Sequence, residues 1–155
     1  MTTAHRTLKD CQTLSLTGDV YSMLVTGEDT VGAYAVVHAL IPPGGGPPPH
    51  THTREEETFF IVEGEVTIAL AGRSFVARPG DVVRTPMNVL HTFANKSSRP
   101  AKMLITIVPA GLERMFAEIG DPLAPGATTP SPVTDAAIAK VIEACPRYGV
   151  VLGGP

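Results

Sequence analysis

The sequence has few of the features that mark secreted or membrane-bound proteins. Its 155 residues include only two cysteines, Cys11 and Cys145, which lie near opposite ends. A disulfide scaffold uses more cysteines at closer spacing, so we expect both to be reduced, small buried or half-buried side chains. The longest apolar run, near residues 31–41, is interrupted by His38. No segment has the length that a signal peptide or a membrane span needs, and we therefore expect a cytoplasmic protein without a membrane partner.

Positive charge is also scarce. The 12 Lys and Arg residues are scattered and are outnumbered by 15 Asp and Glu residues, which leaves a net charge of -3. A nucleic-acid-binding protein normally carries a basic stripe, so we exclude nucleic acid as a partner. The hydrophobic fraction of 43% is that of a globular protein. The length fits one domain over residues 1–155, and no internal repeat is present.

Strong helical periodicity is missing from the first two thirds of the chain. From about residue 11 to 108, short β-rich segments alternate with turn residues at positions 63–64, 71–72 and 79–81. Many short strands without intervening helices favour an antiparallel sandwich or barrel over a parallel α/β fold. The predicted strands lie in QTLSLTG, VYSMLVTG, VGAYAVVHALI, ETFFIVEGEVTIALAGRSFVA, DVVRTP, LHTFAN and AKMLITIV.

Two short helices are predicted in a C-terminal extension over about residues 110–150. The segment GLERMFAEIG has apolar residues at helical spacing, and its helix is expected to lie against the β body, where it could cover the mouth of a barrel. Thr134 or Asp135 can cap the second helix, which Pro146 ends or interrupts. The two apolar faces consist of Leu112, Met115, Phe116 and Ile119, and of Ile138, Val141, Ile142 and Cys145.

The stretch PPGGGPPPHTHTREEETFF, residues 42–60, joins a Pro/Gly run to two histidines and three glutamates. The Pro/Gly run is predicted to be a stiff approach that positions His50 and His52. These two histidines alternate on a predicted strand, so their side chains point to the same side. A following glutamate and His91 can complete a set of three imidazoles and one carboxylate. Such a set suits Fe, Mn, Ni, Cu or Zn, and an octahedral ion would keep two positions open.

The spacing of these residues resembles the two sequence motifs of the cupins, a family of small jelly-roll barrels. The first motif is matched at Gly44, His50, His52, Glu57 and Gly64, and the second at Gly80, Pro86, His91 and Asn95. Asn88 stands where the family usually has Gly, and Asn tolerates the left-handed backbone that such a turn needs.

The resemblance implies an all-β fold, a double-stranded β-helix (jelly-roll, cupin barrel) over about residues 11–108, followed by the two short C-terminal helices. It also implies that one divalent transition metal binds inside the barrel. The implied ligands are His50, His52, Glu57 and His91.

Three consecutive glutamates leave the carboxylate ligand ambiguous. Glu56 satisfies the shorter family spacing, but only Glu57 also keeps six residues before Gly64. We prefer Glu57 as the ligand and expect Glu55 and Glu56 to be solvated. Glu57 is then either a constant ligand or a catalytic carboxylate that leaves the metal to take a substrate proton.

An apolar substrate pocket is predicted around the metal. Such a lining excludes water and suits a small apolar or aromatic organic substrate, and the sequence has neither a Gly-rich phosphate cradle nor a cluster of inward arginines. His38 either reaches this pocket or is an ordinary barrel histidine. The other predicted lining residues are Phe59, Ile61, Met87, Leu90, Phe93 and Met103.

Three functions remain open on the sequence. Resemblance to the quercetinase-like cupins implies a dioxygenase, an oxidoreductase that uses O2 on an enolic or phenolic substrate. A non-redox isomerase, cyclase or lyase would use the metal to stabilise an enolate while Glu57 or His38 moves a proton. The third function is small-molecule binding or sensing without catalysis.

A second copy of the chain is the one protein partner that the sequence suggests. The strand QTLSL is expected to present a free edge that can pair with another subunit. The cupins that this chain resembles are often dimers, so we expect a homodimer.

Overall fold

Two antiparallel β-sheets and two short α-helices make up the computed structural model, which describes residues 5–153. The strands are β1 (Thr13–Leu16), β2 (Asp19–Val25), β3 (Ala35–Ile41), β4 (His50–His52), β5 (Glu56–Glu63), β6 (Val66–Leu70), β7 (Arg73–Ala77), β8 (Val82–Thr85), β9 (His91–Ala94), β10 (Ala101–Val108), β11 (Asp121–Leu123) and β12 (Val150–Leu152). The helices are α1 (Leu112–Ile119) and α2 (Asp135–Ala144). The predicted jelly-roll fold with two C-terminal helices is confirmed.

The two sheets interleave strands that are distant in the sequence. The larger sheet has the order β11-β1-β2-β3-β10-β5-β8, and the smaller has the order β12-β4-β9-β6-β7. Strand β10 lies between β3 and β5, and β9 lies between β4 and β6. This interleaving is typical of a double-stranded β-helix, and it brings residues around positions 50 and 91 side by side.

Alternation along the strands separates an inner face from an outer one. On β5, Glu57, Phe59 and Ile61 are buried, whereas the residues between them are half-buried or exposed. The same alternation runs along β10 from residue 101 to residue 107. Because successive side chains of a strand point to opposite faces, Glu57 enters an interior that is otherwise mainly apolar.

Left-handed backbone marks the turns. Ala71 (φ 51°) and Gly72 (φ 77°) form the two-residue connection between β6 and β7, where the sequence predicts a turn. The predicted strand VGAYAVVHALI begins only at Ala35, because Val31 is left-handed (φ 54°) and lies in a turn. Asn88 has φ 63°. It therefore adopts the conformation that explains why Asn can replace Gly there.

Two short strands that lie after residue 108 were not predicted. Strand β11 pairs with β1, and β12 pairs with β4. Strand β1 therefore lies between β2 and β11, and the prediction of a free edge at QTLSL is wrong. A homodimer that forms by pairing along this strand is not expected, because both of its edges are already hydrogen-bonded.

Helix α1 is tied to the barrel by its apolar face and by a buried carboxylate. Glu113 is 4% exposed, and its carboxylate accepts hydrogen bonds from the backbone N–H groups of Gly27, at 3.0 Å, and Gly111, at 2.6 Å. The bond from Gly27 connects the helix to the loop after β2. The predicted apolar face is formed by the buried Leu112, Met115 and Ile119 and the half-buried Phe116.

Helix α2 contacts the rest of the protein along a narrow stripe. Thr134 caps it, and its hydroxyl accepts a hydrogen bond of 3.1 Å from a backbone amide of the first turn. Val141 and Cys145 pack inward, but Ile138 and Ile142 of the predicted apolar face are 43% and 56% exposed. Neither helix within residues 5–153 combines the length and apolar composition needed to cross a bilayer.

Candidate metal centre

Four buried side chains from both sheets meet inside the barrel. His50 and His52 lie on β4 and His91 lies on β9, all in the smaller sheet, whereas Glu57 lies on β5 of the larger sheet. His50 and His91 are directly opposite each other across β4 and β9. The four ligand atoms lie within 4.8 Å of one another, and no side chain of the four is exposed. The structure thus brings together all four residues that the sequence singled out as ligands.

The distances between these atoms fit one bound ion. The Nε2 atoms of His50 and His52 are 3.1 Å apart, and Glu57 Oε2 is 3.2 Å from Nε2 of both His52 and His91. Donors held at right angles by bonds of ~2.1 Å would be about 3.0 Å apart. Three nitrogen donors and one oxygen donor could therefore hold a transition metal ion such as Fe, Mn, Ni, Cu or Zn.

Backbone carbonyls orient two of the imidazoles. Nδ1 of His50 donates to the carbonyl oxygen of Pro48 at 2.8 Å, and Nδ1 of His91 donates to the carbonyl oxygen of Val89 at 2.9 Å. A carbonyl only accepts hydrogen bonds, so Nδ1 carries a proton in both rings, which leaves Nε2 as the atom that would bind an ion. Nδ1 of His52 is buried and has no partner among the described residues.

Burial and mutual contacts set the protonation of the cluster. Burial lowers the pKa of His50 to about 4. Burial alone would raise the pKa of Glu57, but hydrogen bonds from His52 and His91 outweigh it and hold that pKa well below its usual range. Burial opposes protonation of His52, yet its hydrogen bond to Glu57 raises its pKa above the usual value. Because a metal would compete with this proton, its binding should weaken as the pH falls.

Glu55 does not follow the prediction that it is solvated. Glu56 is partly exposed and forms a surface ion pair with Arg84. Glu55 is only 4% exposed, its Oε2 has no partner among the described residues, and burial raises its pKa. The residue precedes β5, so strand alternation does not apply to it, and the backbone at Gly111 before α1 lies against its carboxylate.

The Pro/Gly loop before β4 is fixed against the end of β9. The N–H of Gly44 donates to the carbonyl of Asn95 at 2.8 Å, and the N–H of Asn95 donates to the carbonyl of Gly45 at 3.0 Å. A Cβ atom on Gly46 would lie 2.1 Å from the carbonyl oxygen of Phe93. The chain therefore enters β4 along a close backbone contact immediately before the two histidines.

Gly46→Ala should lower the free energy of unfolding by about 3 kcal/mol, the upper end for overpacking, because the new methyl group would strike rigid backbone. Gly72→Ala is the matched control. Gly72 also has a positive φ, but nothing lies within 4 Å of its added Cβ, so only the left-handed backbone costs ~1–2 kcal/mol. Denaturant titration of both variants measures the difference. Equal losses would mean that the loop can move away from β9.

A cavity of about 90 Å³ adjoins the cluster. His50, His52 and Glu57 line it on one side, and α1 covers another side, as the sequence suggested for this helix. Most of the remaining wall is apolar. It includes Leu16, Tyr21, Phe93, Ile105, Leu112, Met115 and Phe116.

Most of the residues predicted to line the substrate pocket lie elsewhere in the structure. Phe93 lines the cavity, and Phe59 packs behind it with its ring 6.2 Å from the ring of His91. Of the two alternatives for His38, only that of an ordinary barrel histidine fits its position, because His38 lines a separate cavity beside Lys102. His38 is one of the half-buried residues of β3, and the residues on either side of it in the strand are the ones that point inward. The other four also lie away from the cavity: Ile61 and Met103 are in the core, and Met87 and Leu90 are about 40% exposed.

Strand β2, which the sequence predicted, and strand β12, which it did not, both contribute residues to the site that the sequence reasoning missed. Tyr21 of β2 and Val150 and Leu152 of β12 line the cavity, and β12 also pairs with the strand that carries His50 and His52. The apolar, partly β-branched run Val150–Leu152 is a signal that could have identified β12. No local pattern distinguishes Tyr21 from a core tyrosine.

Comparisons with known proteins agree with this geometry. A family model described as the cupin domain matches residues 37–108. Quercetin 2,3-dioxygenase of Bacillus subtilis is 33% identical over 108 residues, which are 69% of this chain and 32% of that protein. Polyketide synthase CurC of Streptomyces cyaneus is 30% identical over 94 residues, 59% of this chain and 60% of that protein. The chain thus spans about a third of the first relative and three fifths of the second.

A solved structure agrees with the fold. An RmlC-like cupin from Shewanella frigidimarina has a TM-score of 0.63, and the similarity covers 73% of this chain and 96% of that chain. Its sequence is 19% identical to this chain. At this identity the likeness supports the barrel architecture alone.

Proposed function

The chain belongs to the cupin superfamily, and we propose that it is a metal-dependent dioxygenase acting on a small enolic or phenolic substrate. The observation that carries the proposal is the buried cluster of three imidazoles and one carboxylate beside an apolar cavity. Similarity to quercetin 2,3-dioxygenase over 69% of the chain supports the reaction class.

The protein's own residues would hold the ion and exclude water. His50, His52, Glu57 and His91 are the proposed ligands. A bound redox-active ion would supply Lewis acidity and electron transfer. The apolar wall around it lowers the local dielectric and strengthens the interactions of charges that develop during the reaction.

Of the two roles predicted for Glu57, we propose that of a constant ligand. Its Oε2 lies 3.2 Å from Nε2 of both His52 and His91, so the carboxylate already contacts two of the proposed ligands. The low pKa that results from these contacts makes it a weak proton acceptor. The proton of an enol or phenol must then pass to another group of the cavity.

The cavity restricts the substrate. Its volume of about 90 Å³ is below the ~300 Å³ at the lower end of typical small-molecule pockets. A short enol fits this space, whereas a larger aromatic molecule requires α1 to move outward. The hydrogen bond between Glu113 and Gly27, in the loop after β2, opposes that movement.

The proposed function is tested by elemental analysis combined with aerobic and anaerobic assays. Protein loaded separately with Fe, Mn, Ni, Cu or Zn is given a panel of enols and phenols while oxygen is recorded with an electrode. We expect oxygen uptake that matches substrate loss with at least one redox-active ion, and none with Zn. Turnover that persists without oxygen would contradict a dioxygenase and favour an isomerase, cyclase or lyase. Binding without turnover would favour a sensor.

A further inference from the structure

Asp19 is a buried carboxylate inside the barrel, outside the metal cluster. It begins β2 and is 1% exposed, and Tyr21 follows two residues later on the same face. Asp19 Oδ2 accepts a hydrogen bond from the Tyr21 hydroxyl at 3.3 Å, whereas Oδ1 has no partner at normal hydrogen-bond distance and angle among the described residues, although the Gly46 amide lies near the carboxylate. A buried polar atom without a partner destabilises a fold, so its presence calls for a functional explanation.

The Pro/Gly loop is shaped around this carboxylate. A Cβ atom on Gly45 would lie 2.3 Å from Asp19 Oδ1 and 3.0 Å from the carbonyl oxygen of Pro42. Glycine at position 45 therefore leaves the space that the carboxylate occupies. The contact explains a glycine of the 44–46 run that the metal ligands themselves do not require.

Tyr21 connects Asp19 to the cavity. It is 5% exposed and lines the same cavity as His50, His52 and Glu57. Its ring packs against Phe116 of α1, with ring centroids 5.2 Å apart. The phenol side chain is thus fixed between a buried carboxylate and the space beside the metal ligands.

We propose that Tyr21 is a catalytic residue that, positioned by Asp19, accepts the hydroxyl proton of the enol or phenol substrate. The proposal rests on the proposed function, because it assigns the proton acceptor of that reaction. The substrate O–H bond breaks as its proton forms a bond to the Tyr21 oxygen, and the proton that Tyr21 carried moves to Asp19 Oδ2. The substrate keeps the electron pair as an enolate or phenolate, and nothing is oxidised or reduced in this step.

The titration of Asp19 supports this assignment. Burial raises the pKa of Asp19 to about 7, although the Tyr21 hydroxyl and the Gly46 amide favour the charged form. A proton acceptor works best when its pKa lies near the operating pH. Strand β1 and residues 42–49, which adjoin Asp19, carry no titratable side chain, and the one such residue on the neighbouring strand β3, His38, belongs to the half-buried set of that strand and pairs with Ser22, not with Asp19. Burial, followed by the charges of Asp19 and Glu57, raises the pKa of Tyr21. The histidines that line the same cavity as Tyr21 are His50 and His52.

Asp19→Asn should raise the stability of the protein at neutral pH and above while it lowers the catalytic rate. The folded-state pKa of Asp19 is raised, so the stability that the protonated carboxyl contributes is present below about pH 4 and is lost as the pH rises through 7. Asn cannot ionise and still accepts a hydrogen bond from Tyr21. The urea midpoint of the variant should therefore exceed that of the wild type at pH 8 and approach it at pH 4. A lower midpoint at pH 8 would contradict the buried, ionising carboxylate.

Kinetics separate a relay from a structural hydrogen bond. In Asp19→Asn and Tyr21→Phe, kcat should fall about 100-fold with unchanged metal content, the lower end for general base catalysis. Asp19→Asn should also lose the inflection near pH 7 in the pH profile of kcat. Tyr34→Phe, at a tyrosine that is 43% exposed and outside the cavity, is the matched control and should behave as the wild type. An inflection that persists in Asp19→Asn would overturn the proposal.

A binding measurement tests the relay even if no enol or phenol is oxidised. The probe is acetylacetone, a short enol whose ultraviolet absorption changes when it loses its proton, added to Zn-loaded protein. The pH at which the bound probe deprotonates should rise by about 1 unit in Tyr21→Phe and Asp19→Asn relative to the wild type and Tyr34→Phe, a tenfold change in equilibrium. Identical titrations in all four proteins would overturn the relay. Absence of oxygen uptake by the wild type would instead overturn the dioxygenase alone.

Discussion

Replacing His91 by alanine is expected to remove most of the bound metal and to lower activity by more than about 100-fold. Its Nε2 lies 3.2 Å from Glu57 Oε2, and its strand holds it directly opposite His50. Loss of a supporting hydrogen bond already lowers metal affinity or activity 10- to 100-fold in metal sites, so loss of a ligand should exceed that range. The barrel should still fold, because its stability comes mainly from the apolar core between the sheets.

Elemental analysis, steady-state rates and circular dichroism of the purified variant test this expectation. His38→Ala is the matched control, since it removes a half-buried histidine that lines a different cavity. That variant should keep its metal. Full metal retention in folded His91→Ala would contradict the assignment of the centre.

Glu57→Gln is expected to lower both metal content and activity by about 100-fold or more, in the range for a lost ligand or general base. The substitution keeps the shape of the side chain but removes the negative charge that interacts with His52 and His91. An amide oxygen is a weaker donor to a divalent ion, and no other carboxylate belongs to the described cluster. Metal analysis and rates measured across added metal concentrations distinguish weaker binding from a slower reaction.

Glu56→Gln is the internal control for the adjacent position. Glu56 and Arg84 form an ion pair whose side chains are 35% and 61% exposed, and such pairs contribute about 1 kcal/mol or less. Its loss should leave metal content unchanged and activity within about twofold. Equal damage from the two substitutions would show that the carboxylate ligand has been misassigned.

The candidate site was predictable because its information is local in the sequence. His50 and His52 are two residues apart on a strand, and parity along β5 sends Glu57 inward and Glu56 outward. The position of Asn88 with its left-handed backbone also followed from residue type. Strand periodicity and turn chemistry therefore predicted an antiparallel sandwich or barrel and the face on which each residue lies, whereas the resemblance to the cupin motifs implied the jelly-roll fold and the four residues of the cluster.

The lining of the cavity was not predictable in the same way. Alternation along a strand tells which face a residue occupies but not how far along the barrel axis it lies. Ile61 and Met103 therefore share the inner face with Glu57, but they pack in the apolar core and do not line the cavity. Glu55 became buried because α1 begins beside it, a contact between segments far apart in the sequence. The prediction of a free edge at QTLSL was wrong for the same reason, because that edge pairs with β11, a strand more than 100 residues later in the sequence.

The pairing of β12 with β4 has a consequence for the order in which the protein matures. A ribosome adds about 5–20 residues per second, so β12 follows the strand of His50 and His52 by on the order of ten seconds. Until then one edge of that strand lacks its partner, and two histidines of the cluster lie on an incompletely paired element. Metal loading in the cell should therefore be a late event that follows synthesis of residue 152, and a nascent chain stalled before that point should bind the ion weakly.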